Sequence, residues 1–249
     1  MKKSIITIAL SVAFYATNGF IAFGQTNQVA SPPKYPWESS ASFGLTLTRG
    51  NSDTTLFTVK VLTDRKDNLN ELSFGADAAY GANNGVENTE SLHGFAQWDH
   101  LFSEKFFSYA RAEGLHDGIS DIKYRAMIGP GAGYYFLKDT NTTLAAEAGG
   151  SAVFERLGTN DSTYATLRLA ERFEHKFDGH GARVWQTVEI LPQVDSFNNY
   201  IVNAEVGVEA SISKHLSLQT YLDDSYDNEP AAGRLKDDLK LVSGISYKF

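Results

Sequence analysis

The clearest pattern in the chain is an alternation of apolar with polar or small residues, which is the period of a β-strand. Between Ile122 and Leu137 the even positions are apolar or aromatic, and the odd positions are mostly polar or small. The segment from Tyr200 to Ile212 repeats the pattern, with valines on one face and glutamates on the other. Alternation alone fits both a soluble sandwich and a membrane barrel, because strands in both have one apolar and one polar face.

Strand length favours the barrel. The segments Thr143–Arg156 and Tyr164–Phe177 alternate for more than ten residues, whereas soluble strands usually have about five or six residues and tilted membrane strands about 9–11. The pattern predicts twelve strands, with the approximate spans 37–49, 54–64, 70–80, 89–101, 106–116, 122–137, 143–156, 164–177, 182–192, 200–212, 216–226 and 237–249.

The connections between these strands alternate in length. One set is tight: Arg65–Leu69, Phe102–Lys105, Lys138–Thr142, Asp178–Gly181 and Ser213–His215. The other set is mostly longer and polar: Gly81–Asn88, Asp117–Asp121, Leu157–Thr163, Gln193–Asn199 and Asp227–Lys236, with Gly50–Asp53 as a short exception. Outer-membrane barrels have short periplasmic turns and long extracellular loops. We therefore expect an all-β, transmembrane, up-and-down antiparallel β-barrel of about 12 strands.

The last predicted strand ends in an aromatic residue. Its apolar positions share one parity up to Tyr247 and Phe249. We expect these two residues to form the C-terminal signal that the barrel-insertion machinery reads. Aromatic residues near other strand ends, such as Trp37 and Trp98, suit the interfacial girdles of a membrane barrel.

The beginning of the chain predicts export. Lys2 and Lys3 precede an apolar run from Ile5 to Tyr15, and small residues follow at Ala22 and Gly24. This is the pattern of a secretory signal peptide, and the apolar run is shorter than the roughly 20 residues of a membrane helix. We predict a signal peptide at 1–24, a flexible leader at 25–36 and an outer-membrane β-barrel at 37–249.

Composition removes several classes of function. The chain has no Cys, which excludes disulfides, thiolate metal sites and a Cys nucleophile. Its formal net charge of −8 and its lack of a basic segment argue against nucleic acid as a partner. We expect no cofactor and no metal. The expected partners are outer-membrane lipid, lipopolysaccharide, the insertion machinery and small ions or solutes.

The polar positions of the alternating strands predict a charged barrel interior. The predicted lumen-lining residues are Arg111, Glu113, Lys123, Arg125, Glu147, Glu155, Arg168, Arg172, Glu205, Glu209, Asp223 and Lys240, together with Lys60, Asp77 and Asp238. A twelve-strand lumen is wider than one of eight strands and narrower than that of a sixteen-strand porin. These charges could line a narrow passive channel. They could equally pair with one another and close a structural barrel.

An outer-membrane lipid-modifying hydrolase is the alternative. His116, with Asp117 and Asp121 close in sequence, is the best catalytic or metal candidate among the six His. No Gly-x-Ser-x-Gly elbow, phosphate loop or His-Glu-x-x-His motif is present. The acidic residues between Asp223 and Asp238 could also bind a hard divalent cation, although an acidic, solvated loop is the simpler interpretation. We expect a protein that is not an enzyme.

Several segments together resemble one family. Arg49-Gly50-Asn51-Ser52, Gly129-Pro130-Gly131-Ala132-Gly133-Tyr134, Glu147-Ala148-Gly149 and Tyr247-Lys248-Phe249 are similar to segments of the salt-induced outer membrane protein family, domain of unknown function 481. The resemblance extends over roughly Trp37 to Phe249. It implies an outer-membrane barrel with a link to salt or osmotic stress. It carries over no substrate and no catalytic residues.

Overall fold

The computed structural model describes residues 37–48, 54–177 and 181–249. The predicted signal peptide, the leader, the connection at Gly50–Asp53 and most of the turn at Asp178–Gly181 lie outside these ranges. No helix among the described residues is long and apolar enough to cross a membrane.

The described residues form twelve β-strands. They are β1 (Trp37–Thr48), β2 (Thr54–Lys66), β3 (Asn70–Asn83), β4 (Val86–Leu101), β5 (Phe106–Asp117), β6 (Ile122–Lys138), β7 (Thr142–Leu157), β8 (Asn160–Phe177), β9 (Ala182–Pro192), β10 (Tyr200–Ser211), β11 (Leu216–Asp227) and β12 (Asp237–Lys248).

The strands close into one barrel. Each pairs antiparallel with the strands before and after it, and β12 returns to β1 in register from Ser40↔Lys248 to Gly44↔Gly244. The backbone N–H of Phe249 donates to the carbonyl of Ser39 (3.0 Å), which extends this seam to the last residue. Closure leaves no open sheet edge, as a structure surrounded by lipid requires. The predicted all-β, up-and-down barrel is therefore confirmed.

Two of the predicted long connections are wrong. Residues 81–88 and 157–163 contain two-residue hairpin turns, because β3 extends to Asn83 and β8 begins at Asn160. Asn84 and Gly85 both have positive φ (50° and 75°), which is the geometry of an Asn-Gly hairpin turn. The polar residues around these turns belong to strand ends rather than to loops. The connections 193–199 and 228–236 remain long.

The two faces of each strand differ in exposure as the alternation predicts. On β6, Ile128 and Phe136 point outward and are 59% and 55% exposed, whereas Arg125 and Tyr135 point inward and are 4% and 3% exposed. The outer surface is thus apolar, and the inner surface carries the charges.

Glycines on β6 make room for aromatic rings inside the barrel. A Cβ atom at Gly131 would lie 2.2 Å from the Tyr109 ring, and one at Gly133 would lie 2.1 Å from the Phe107 ring. Both rings belong to the register partners of these glycines on the neighbouring strand β5. The Gly129-Pro130-Gly131-Ala132-Gly133 segment therefore has a packing role, since any larger side chain at Gly131 or Gly133 would displace a buried ring.

Candidate functional site in the barrel interior

A cluster centred on Glu147 occupies the interior beside β7 and β8. The Glu147 side chain is 0% exposed and forms salt bridges with Arg168 (Nη1 to Oε2, 2.6 Å) and with Arg172. Arg168 also pairs with Glu189, and the Gln97 amide donates to Glu147 at 3.3 Å. A buried carboxylate needs basic partners of this kind, because removing a charge from water costs several kcal/mol. Removing one partner of a buried ion pair therefore destabilises a protein by about 3–5 kcal/mol.

A second cluster crosses the lumen. The Arg125 guanidinium donates to Glu155 on the adjacent strand and to Asp227 on β11, both at 2.6 Å. Four strands lie between β6 and β11 around the barrel, so the second bond spans the interior. The three side chains are 4%, 5% and 16% exposed, respectively.

A third cluster lies near the barrel end at which β12 terminates. Arg183 donates to Glu209 at 2.6 Å and to Glu174 at 2.8 Å, and Lys248 also pairs with Glu209. The Glu209 side chain is 2% exposed. Two basic side chains therefore hold one buried carboxylate, as in the Glu147 cluster.

Apolar side chains fill the space between these clusters. Phe107 and Val153 are fully buried, and Tyr135, Leu191 and Ile201 are each less than 5% exposed. A small cavity of about 10 Å³ is lined by Arg111, Glu113 and Met127, among others. Side chains therefore fill much of the interior along β5 to β8, although the Arg172 side chain remains 34% exposed.

Two ladders of paired residues also keep partial contact with solvent, and we call them the exposed strip. Lys60, Asp77 and His93 are successive register partners on β2, β3 and β4. Glu205, Asp223 and Lys240 are successive register partners on β10, β11 and β12.

A salt bridge joins the two ladders across the lumen. Lys60 Nζ lies 2.7 Å from Glu205 Oε2, and both side chains are 20% exposed. Lys60 also lies over the Tyr221 ring, and the Trp185 indole donates to Glu205 at 2.6 Å. Asp77 is 38% exposed, which makes its carboxylate the more accessible charge beside this salt bridge.

His93 is a site residue that the sequence analysis did not single out. Its Nδ1 lies 2.9 Å from Asp77 Oδ1, and its Nε2 lies 3.0 Å from Glu113 Oε1. Because carboxylate oxygens only accept hydrogen bonds, both ring nitrogens must donate, which is the arrangement of an imidazolium. Arg111 also donates to Glu113 at 2.7 Å. The sequence signal that could have identified His93 is its polar parity on β4, which places it on the same inner face as its register partner Asp77 on β3.

The structure places the predicted lumen residues on the inner face, with the exception of Lys123. Lys123 is 52% exposed and lies 2.8 Å from Asp121 in the adjacent connection. The cause is a register irregularity between Ile122 and Tyr124, which shifts the alternation at the start of β6. Hydrogen bonding from the Lys123 ammonium lowers the pKa of the Asp121 carboxyl. Lys123 therefore belongs to the rim, and the parity argument is wrong there.

The residues around His116 are engaged separately. His116 Nδ1 lies 2.9 Å from the backbone carbonyl of Lys123, and the Asp117 carboxylate accepts from the backbone N–H of Ser120 at 2.7 Å. Asp121 pairs with Lys123 rather than with His116. Within residues 37–48, 54–177 and 181–249, no group of three or more His, Asp or Glu side chains is arranged to hold a metal ion.

A family model matches most of the chain, and one solved structure shares its barrel fold. The family model described as "Protein of unknown function, DUF481" matches residues 41–249. No curated protein matches the sequence. Among solved structures, the alignment with the NanC porin covers 85% of this chain and 100% of the porin chain, with a TM-score of 0.52 and 6% sequence identity. The alignment with the KdgM porin covers 86% of this chain and 99% of the porin chain, with a TM-score of 0.47 and 9% sequence identity. The fold is that of a porin-like barrel.

Proposed function

The chain belongs to the DUF481 family of proteins of unknown function, and from this premise we propose that it is a bacterial outer-membrane barrel that gives small ions a narrow, passive path. The exposed strip carries the proposal. Buried ion pairs and rings fill the interior along β5 to β8, whereas Lys60, Asp77 and Glu205 keep contact with solvent. The path is therefore off-centre and bordered by β1 to β4 and β10 to β12.

The same strip supports a preference for cations. Lys60 is paired with Glu205 and Asp77 with His93, but Asp77 is 38% exposed, against 20% for Lys60 and 24% for His93. A solute that passes the strip consequently meets an accessible carboxylate, and rings of such groups favour cations in pores.

A closed structural barrel is the second candidate. It is favoured by the burial of Glu147, Arg125 and Glu209, whose side chains are each less than 5% exposed. In this role the salt bridges would stabilise the envelope without conducting ions, and a link to salt or osmotic conditions would be mechanical.

Export by the N-terminal signal would place the β12 end on the periplasmic side and the 193–199 and 228–236 connections outside the cell, beside lipopolysaccharide. Lipid would surround the apolar outer face. We assign no catalytic role, because His116 and its two neighbouring carboxylates are engaged with other groups. Lipid turnover that is lost in His116→Ala would contradict this assignment.

Planar-bilayer recording of the folded barrel tests the channel. We expect small, steady unitary currents and, in a salt gradient, a reversal potential of the sign for cation preference. Silence from a heat-modifiable, folded barrel would reject the channel in favour of the closed structural barrel. Currents with anion preference would reject the role given to Asp77.

The C-terminal signal gives a separate prediction. Phe249 closes the β1–β12 seam through its backbone, and its side chain is 65% exposed on the outer face. We expect Phe249→Ser to lower the amount of folded barrel in the outer membrane, because the insertion machinery is proposed to read this residue together with Tyr247. Quantitative immunoblotting of membrane fractions measures the effect, with Phe249→Tyr as the matched control. Equal levels of both variants would exclude Phe249 from the signal.

A further inference from the structure

A polar pair lies on the outer face of the barrel, where its outward neighbours on the same two strands are apolar. Glu171 on β8 accepts a hydrogen bond of 3.0 Å from the Gln186 amide on β9. The outward neighbours of Glu171 on its strand are Leu169 and Phe173, and those of Gln186 are Val184 and Val188. A carboxyl group and an amide thus face outward in the middle of an apolar surface.

The level of Glu171 places it inside the band proposed to contact lipid. His175 and Phe177, which pack edge to face at 4.7 Å, mark the nearer aromatic border. Glu171 lies four residues from His175, or about 10 Å along the barrel axis at the usual strand rise and tilt. The apolar band of such barrels is about 25 Å tall. Polar groups at this depth require partners, because hydrocarbon supplies none.

The pair borders a groove that can receive a partner. The groove has a volume of about 500 Å³ and is lined mainly by apolar residues of β6 to β9, including Tyr134, Ala146, Ala148, Leu169 and Val188. Tyr134, Ala146, Glu171 and Val188 are successive register partners across these four strands. The small side chains of Ala146 and its outward neighbour Ala148 form the floor of the groove. Small residues of this kind let two surfaces approach closely in a membrane.

The hydrogen-bonding capacity of the pair is self-complementary. After the bond within the chain, Glu171 keeps an acceptor oxygen, and the Gln186 amide keeps one N–H donor. A two-fold axis through this surface would place the donor of one copy against the acceptor of the other, and would do so twice. The bordering side chains of each copy, such as Leu169, would then pack into the groove of the other.

We propose that the barrel forms a two-fold homodimer through this groove, with reciprocal hydrogen bonds between Glu171 and Gln186 at its centre. The occupant is a second copy of this chain. The inference rests on the membrane placement proposed above and is independent of whether the lumen conducts.

Cysteine cross-linking in outer membranes tests the proposal, because the chain has no Cys of its own. Treatment of Val188→Cys, at the register partner of Glu171, with a short bis-maleimide should move the folded band from monomer to cross-linked dimer. The matched control is Leu241→Cys on β12, which is 59% exposed on a distant part of the outer face and should remain monomeric. Adding Glu171→Leu and Gln186→Leu to Val188→Cys should abolish the dimer.

A second polar pair controls for the loss of hydrogen bonds in general. Thr220 and Ser243 also face outward and hydrogen bond at 3.0 Å, so Thr220→Val with Ser243→Ala should leave the Val188→Cys dimer unchanged. Equal cross-linking at both cysteine positions, or none at either, would overturn the dimer. A monomer that retains a phospholipid in the groove would also overturn it. Failure of the unmodified chain to fold in the membrane would instead reject the proposed function.

Discussion

Replacing Arg125 with methionine is expected to lower the free energy of unfolding by about 3–5 kcal/mol. The substitution keeps most of the side-chain volume but removes the charge that pairs with Glu155 and Asp227, each at 2.6 Å. Both carboxylates would remain in the interior, where their side chains are only 5% and 16% exposed. The cost arises from these two uncompensated charges rather than from the lost attraction alone. Equilibrium denaturant unfolding of the refolded barrel measures it.

Lys123→Met is the matched control for this prediction. Lys123 lies two residues earlier on the same strand and also forms a salt bridge, but it is 52% exposed and its partner Asp121 is 29% exposed. Exposed ion pairs contribute about 0–1 kcal/mol, so we expect a change of that size. Comparable losses in both variants would mean that Arg125 is as solvated as Lys123, and the filled interior would then be wrong.

A double variant separates charge from packing. In Arg125→Met with Glu155→Gln, one of the two uncompensated charges is removed, so part of the lost stability should return. If the double variant were less stable than Arg125→Met by the full cost of a second independent defect, the two side chains would not be coupled, contrary to the 2.6 Å contact.

Most of the fold could be predicted because two properties of barrel strands are local. The period of two assigned nearly every side chain to a face, and the paired turn lengths gave the strand order. On β6, the inward burial of Arg125 and the outward exposure of Ile128 follow directly from this alternation. The exposure of Phe249 could also be predicted, since its parity continues that of Tyr247.

The misassigned features depend on information beyond the alternation. Lys123 left its predicted face because of an irregularity in backbone register beside Ile122, and such a shift inverts every face that follows it until it is corrected. The polar stretch around Asn84 was interpreted as a long loop, but it forms a two-residue hairpin turn between β3 and β4.

The pairing of charges across the lumen could not be obtained from neighbouring strands. Arg125 reaches Asp227, and Lys60 reaches Glu205, over three or more intervening strands. Which side chains meet across a barrel depends on its shear and diameter, which one sequence does not specify. The distinction between the filled interior and the exposed strip follows from these pairings, and it therefore appears only in the structure.

Replacing Lys60 with methionine is expected to increase cation preference and unitary conductance. Lys60 is the basic side chain that crosses the lumen at the exposed strip, 2.7 Å from Glu205. A charge about 4 Å from an ion in water changes its energy by about 1 kcal/mol, which corresponds to a roughly fivefold change in local cation concentration. Glu205 keeps the Trp185 indole as a donor at 2.6 Å, so the barrel should still fold. Reversal potentials in a salt gradient measure the change.

Two further variants decide whether the effect belongs to this position. Glu205→Gln removes the opposite charge from the same salt bridge and should shift the reversal potential the other way. Lys66→Met removes the same charge from the same strand, but Lys66 is 65% exposed at the strand end beside Glu71 and should change selectivity little. The recordings require low salt, because the screening length is about 10 Å at 0.1 M and about 3 Å at 1 M. If Lys66→Met and Lys60→Met shifted the reversal potential equally, the ions would respond to net charge alone, and the exposed strip would not be their path.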